Sequence, residues 1–223
     1  MLDETLGQLA CRIPGATQVF HQYRMDFCCG GKQTLRDAAR KGQVEPEEVE
    51  RQLQAMLALG KTQHDWTKAT NAELIAHILE RYHARHREQL PELIRLALKV
   101  ERVHADKADC PKGLAAHLET MLQELDSHMQ KEEQVLFPML ERAPASGPAQ
   151  GPISVLRMEH DQHGLEVEKL DALTNHITPP AGACNTWRAL YAGLTQFKED
   201  LMQHIHLENN ILFVDPTHKP VVH

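Results

Sequence analysis

An apolar stripe near the carboxyl end of this 223-residue chain, Leu190, Leu194, Phe197 and Leu201, continues in the same register into His204, Glu208 and Ile211. Steps of three and four put all seven on one face of a helix. A carboxylate on a core-facing seam is costly unless its charge is compensated, so the fold has to bring a counter-charge to this seam. The same intrusion occurs earlier, where Leu114, Leu118, Met121, Leu125, His128, Glu132 and Val135 share a stripe of a helix predicted over 112–142. The two intrusions form an internal repeat. His128-x-x-x-Glu132 and His204-x-x-x-Glu208 are each followed, three to five residues after the Glu, by Val or Ile, then Leu, then Phe. With 15 His and 20 Glu in the chain, chance supplies about one such spacing, so the shared tail carries the inference rather than the spacing.

Two further helical patterns complete the set. One begins at the capping-box signature Thr70-Asn-Ala-Glu73 and runs to about residue 102, with Ile75, Leu79, His83, His86 and Leu90 inward and a kink or local break expected at Pro91. The other runs over 153–176, with Ile153, Leu156, His160, His163, Val167 and Leu170 inward. The expected fold is all-α: an antiparallel four-helix bundle over 70–223, preceded by a small helical domain over 1–65. The segment from Gly60 to Trp66 lacks apolar periodicity and is expected to be a linker, and 143–152 is expected to be a loop.

Composition removes several function classes. A net charge of −7 with no basic cluster argues against a nucleic-acid or anionic-membrane partner. No run approaches the roughly 18 apolar residues that span a bilayer. The acidic opening Met-Leu-Asp-Glu-Thr does not resemble a signal peptide, and five scattered cysteines fit a reducing compartment, so the expected location is cytoplasmic.

Four helices thus aim His83, His128, His160 and His204, with Glu132 and Glu208, into one core. Four imidazoles and two carboxylates suit two metal ions, the carboxylates bridging and each metal keeping positions for an oxo or hydroxo bridge and an exogenous ligand. Nitrogen and oxygen donors without thiolate favour iron or manganese over structural zinc. Open positions on iron imply binding of, or chemistry on, a small diatomic such as O₂ or NO. His206 is expected to be solvated, and His86, His104, His117 and His163 to lie outside the ligand set or on the surface. Glu133 and Glu159 adjoin the expected ligands and are placed to orient them or line an access path. Cys28 and Cys29, adjacent and hard to bridge to one another, stand as free thiols for redox chemistry or for holding a metal or cluster, with small buried apolar residues as the plainer alternative. Gly30-Gly31-Lys32 does not complete a phosphate-binding loop.

Taken in order, Asp26-Phe-Cys28-Cys29-Gly30-Gly31-Lys32, Tyr82-His83-Ala-Arg-His86-Arg-Glu88, Ser127-His128-Met-Gln-Lys-Glu132-Glu133, Glu159-His160-Asp161 and His204-x-x-Leu-Glu208-Asn209 resemble the Repair of Iron Centres proteins. These are hemerythrin-like di-iron proteins of iron–sulfur cluster repair, and the resemblance covers nearly the whole chain. It implies that His83, His128, His160 and His204 are terminal iron ligands, Glu132 and Glu208 bridging ones, and Cys28 and Cys29 functional thiols. The implied activity is repair of clusters damaged by nitric oxide or oxidants, through iron donation, NO reduction at two non-haem irons, or both, with damaged iron–sulfur proteins as partners. A di-iron NO or O₂ scavenger or sensor that never turns over is the competing expectation, and a purely structural metal a third. Monomer and homodimer stay open. One departure from the repeat, Val214 after Phe213 where the first copy has Phe137-Pro138, falls beyond the ligands.

Overall fold

The computed structural model describes residues 1–58, 65–142 and 147–214. Most of the expected linker, part of the 143–152 loop and the polar tail after residue 214 lie outside the described residues. The chain divides into two compact units. The first comprises Met1–Ile75, Met139–Ile153 and Met202–His223, and the second Ala76–Pro138 and Ser154–Leu201. Among the described residues every regular element is helical apart from an isolated bridge between Thr5 and Thr34. Among the described residues no helix is long and apolar enough to cross a membrane.

In the first unit α1 (Leu6–Arg12), α2 (Ala16–Gln22), α3 (Leu35–Lys41) and α4 (Pro46–Ala58) surround a core of Leu6, Leu9, Phe20, Phe27, Leu35 and Leu53. Thr5 and Gln8 form a reciprocal capping box at α1, and Thr34 caps α3 through the Asp37 amide. Each fully buried phenylalanine or leucine here contributes on the order of 2 kcal/mol. The segment carrying Cys28 and Cys29 crosses between α2 and α3. Gly7 and Gly31 allow a close approach there: a Cβ on Gly7 would lie 2.5 Å from Asn210 Oδ1, and one on Gly31 2.6 Å from Phe27 O.

The second unit is built from α6 (Ala84–Val103), α7 (Leu114–Lys131) and large parts of α9 (Gln150–Leu173) and α10 (Asn185–Leu207). Each helix is tied to two others. Arg87 joins α6 to α7 through Asp126, and His117 joins α7 to α9 through Glu166. Lys198 joins α10 to Asp171 of α9, and the His86 and Phe197 rings meet edge to face across α6 and α10. These contacts close a four-helix bundle. The Thr70–Glu73 capping box forms as expected ahead of α5 (Asn71–Ile78), and α6 continues through Pro91. Short α8 (Phe137–Arg142) follows α7, and α9 starts at Gln150, so the expected 143–152 loop is shorter than its composition implied.

Among the described residues three five-residue π turns interrupt the long helices, at Leu79–His83, Glu132–Leu136 and Glu208–Leu212. A π turn inserts one residue, and at 3.6 residues per turn it rotates the following side chains by about 100°. This corrects one core assignment, since Val135 is 50% exposed while Leu136 is buried; ahead of the first π turn, Ile78 rather than Leu79 takes the fully buried position. A strict helical period carries no sign of an inserted residue.

Candidate metal centre

The π turns coincide with the expected ligands: His83 ends the first, Glu132 opens the second and Glu208 opens the third. In the second unit Glu132 is fully buried, with Oε2 3.4 Å from His83 Nε2 and Oε1 3.3 Å from His128 Nε2. His160 Nε2 lies 3.0 Å from His128 Nε2. Ligand atoms of His128, Glu132 and His160 all fall within 4.8 Å of one another.

The outer nitrogens decide what the inner ones offer. His83 Nδ1 lies 2.8 Å from Glu133 Oε1, and His128 Nδ1 2.9 Å from Glu159 Oε2. Burial works against ionisation of Glu133, but hydrogen bonds from Arg87 and His83 outweigh it and hold its carboxyl below the usual carboxylate range. Burial is likewise outweighed at Glu159 by Lys131 and His128. An ionised carboxylate only accepts, so both Nδ1 atoms donate. A neutral ring with its proton on Nδ1 presents a lone pair at Nε2. The inner face of this cluster is therefore a convergence of imidazole lone pairs on a buried carboxylate, a donor set that fits a cation.

In the first unit His204 and Glu208 are both fully buried, with His204 Nε2 3.1 Å from Glu208 Oε1. The thiol loop packs on the residues beside them. Asn209 Nδ2 donates to Cys28 O at 3.3 Å, and the Gly7 amide donates to Gly31 O at 2.9 Å where Asn210 approaches. His206 corrects an expectation, for it is 2% exposed rather than solvated. Its ring meets Phe27 edge to face and its Nε2 lies 3.9 Å from Cys11 Sγ. Burial, only partly opposed by a hydrogen bond from the ring to the Phe27 backbone carbonyl, lowers its pKa to about 4. The helical face opposite the ligands is thus covered by the N-terminal helices, which the periodicity of α10 alone does not show.

Cys28 and Cys29 are free thiols with sulfurs 3.8 Å apart, Cys28 buried and Cys29 half-buried. Asp26 organises them: its Oδ1 accepts from the Cys28 and Cys29 amides and from Cys28 Sγ, and its Oδ2 from the Gly30 amide. The hydrogen bond with Cys29, then burial and the nearby Asp26 charge, push the Cys28 pKa well up, so Cys28 keeps its proton. Among the remaining histidines, His86, His117 and His163 are buried rather than on the surface. His163 sits edge to face against His128, and His117 is held by Glu166. Arg87, Lys131, Asn209 and the anchoring role of Asp26 were not anticipated. Arg87 and Lys131 occupy helix positions where surface charges are ordinary, so no pattern marks them.

A family model described as the hemerythrin HHE cation binding domain matches residues 74–214, which contain all six candidate ligands. A second, the ScdA_N domain, described as of unknown function, matches residues 2–57. Iron-sulfur cluster repair proteins YtfE from Pectobacterium atrosepticum and Yersinia pseudotuberculosis are each 54% identical over 211 residues, covering 95% of both chains. The Yersinia pestis relative of the same name is 53% identical over the same span. Buried donors at the π turns, a thiol loop packed beside Asn209 and end-to-end similarity agree, and the chain belongs to the hemerythrin-like family of YtfE-type iron–sulfur cluster repair proteins.

Proposed function

We propose that this chain holds two non-haem iron ions and repairs iron–sulfur clusters damaged by nitric oxide or oxidants. The observation that carries the reading is the buried Glu132 carboxylate facing the Nε2 atoms of His83 and His128, whose Nδ1 atoms are committed to Glu133 and Glu159. In this reading His83, His128, His160 and His204 are terminal ligands, while Glu132 and Glu208 are shared between the ions. Bound iron would supply redox chemistry toward a small diatomic, or an exchangeable ferrous ion for delivery.

The protein's own groups then have defined tasks. Glu133 and Glu159 fix the histidine tautomers, and Arg87 and Lys131 keep those carboxylates ionised. Asp26 holds the Cys28 proton and aims both thiol-bearing residues from one anchored loop. Clients are damaged iron–sulfur proteins, as the names of the relatives indicate for those proteins. A cytoplasmic location follows from the same reading.

One observation favours a second reading, a di-iron NO or O₂ scavenger or sensor without turnover. All six donors are at most 1% exposed, which suits retention of the metal. Anaerobic titration of the reduced, iron-loaded protein with NO separates the two. Release of nitrous oxide, or transfer of iron to an apo-cluster acceptor, supports repair. A stable nitrosyl species with neither outcome supports the scavenger. Fewer than about two irons per chain after reconstitution would sink the dinuclear assignment in both.

A further inference from the structure

His104 Nε2 lies 3.2 Å from Cys184 Sγ, a thiol–imidazole pair that no part of the metal chemistry uses. His104 follows the end of α6, 21 residues beyond His83, which at 1.5 Å per residue is about 30 Å along the helix. Cys184 immediately precedes α10, and its carbonyl accepts from the Arg188 amide at 3.0 Å, so the sulfur stands at the positive end of a 23-residue helix. The fully buried Trp187 packs on the His104 ring with centroids 5.1 Å apart, which fixes the ring that faces the thiol. Lys107 Nζ donates to Gly182 O at 3.2 Å and adds a cation to the turn leading into Cys184. Both His104 and Cys184 are half-buried, within reach of a small molecule.

The other cysteines offer a contrast. Burial raises the Cys11 pKa to about 12 and raises that of Cys110, and Cys28 is tied to Asp26. Cys184 combines partial exposure with an imidazole nitrogen 3.2 Å from its sulfur and positive neighbours, the surroundings that make a cysteine nucleophilic.

We propose that Cys184, with His104 as its base, is a reversible modification site for small disulfides that carry carboxylates. His104 Nε2 takes the thiol proton and Cys184 Sγ attacks one sulfur of the disulfide. A new S–S bond forms to that sulfur as the original S–S bond breaks, and the departing thiolate recovers the proton from the imidazolium. The protein thiol is oxidised and the small disulfide is reduced to one thiol and one mixed-disulfide partner, so atoms and electrons balance. Lys107 and the helix terminus favour the carboxylates of the incoming molecule. Such a site would record thiol oxidation on the protein without touching its metal donors.

The test uses the full-length, iron-loaded protein with glutathione disulfide as probe, acid quenching and peptide mass spectrometry. Cys184 is expected to form its adduct about ten-fold faster in the folded protein than in the guanidinium-unfolded chain, and His104→Gln to remove most of that advantage with iron content unchanged. Equal rates in folded and unfolded protein, or an undiminished rate in His104→Gln, would overturn the proposal. Should His104→Gln not fold, wild-type protein still decides. Faster reaction of glutathione disulfide than of uncharged hydroxyethyl disulfide at Cys184, by a larger ratio than in the unfolded chain, supports the site, and an unchanged ratio rejects it.

Discussion

The Glu132 cluster and the Asp26 loop each set a carboxylate beside potential ligands, Glu132 fully buried and Asp26 exposed, and they meet its charge in opposite ways. Asp26 is met by donors: three backbone amides and the Cys28 thiol point at its two oxygens. Glu132 is met by the Nε2 atoms of His83 and His128, whose own protons are directed outward to Glu133 and Glu159. One carboxylate is stabilised by the chain itself. The other lies beside imidazole nitrogens whose outer protons are committed elsewhere, an arrangement that favours a cation. Two sites with similar residue types therefore differ in what they require, and the direction in which hydrogens point separates them.

The sharpest way to break this comparison is to remove the buried acceptor. Glu132→Leu is expected to lower metal affinity by at least about a hundred-fold while stabilising the metal-free protein, because it replaces a fully buried carboxylate with an apolar side chain. Iron per chain and paired melting curves with and without metal check both halves. Full iron loading in Glu132→Leu would show that the carboxylate is not a ligand.

Next in size are the outer carboxylates. Glu133→Gln and Glu159→Gln are each expected to weaken metal binding by about 10- to 100-fold, since the histidine tautomers lose their anchor. Competition with a chelator of known affinity measures the loss. Both carboxyls titrate below the ordinary value of 4.5 in the folded protein. Their contribution to stability is therefore complete above the unfolded value and disappears as pH falls through the lower folded one. The melting-temperature gap between metal-free wild type and Glu133→Gln should close as pH drops below that range, and a gap that widens in acid would contradict the assignment.

The Asp26 loop should respond on a smaller scale. Asp26→Ala is expected to cost about 1–2 kcal/mol of stability by removing the acceptor of three amides and the Cys28 thiol, and to leave iron stoichiometry unchanged. Denaturant unfolding with parallel metal analysis distinguishes this from a metal-binding role for the loop. Smallest of all, Asn209→Ala removes one hydrogen bond to Cys28 O, worth about 1 kcal/mol, and should raise hydrogen exchange at the thiol loop before it alters global unfolding. If Asn209→Ala instead emptied the metal site, the loop and the cluster would be one device rather than two.

Much of this molecule is legible in one dimension. The stripes of α7, α9 and α10 place His128, His160, His163 and His204 on apolar seams, and all four are buried. That inference works because a helix repeats its face every three to four residues, so a polar residue in apolar register betrays itself. The sequence motifs also carried the family resemblance. The failures have two causes. Val135 was misplaced where a π turn shifts the register, and His206 where a distant segment covers the second face of a helix. Neither event leaves a periodic trace. Arg87 and Lys131 were hidden because ordinary surface positions become anchors only through what lies opposite them.

By itself, then, the sequence determined the all-α class, the buried histidines and the residue types able to hold a cation, because these follow from local periodicity and donor chemistry. Only the tertiary structure decided which nitrogen of His83 and His128 faces inward, that Asp26 accepts from the amides and the thiol of the Cys28–Cys29 loop, and that His104 meets Cys184. Those outcomes depend on hydrogen-bond partners 31 to 80 residues apart, or on the turn geometry around Asp26, and no helical period specifies either.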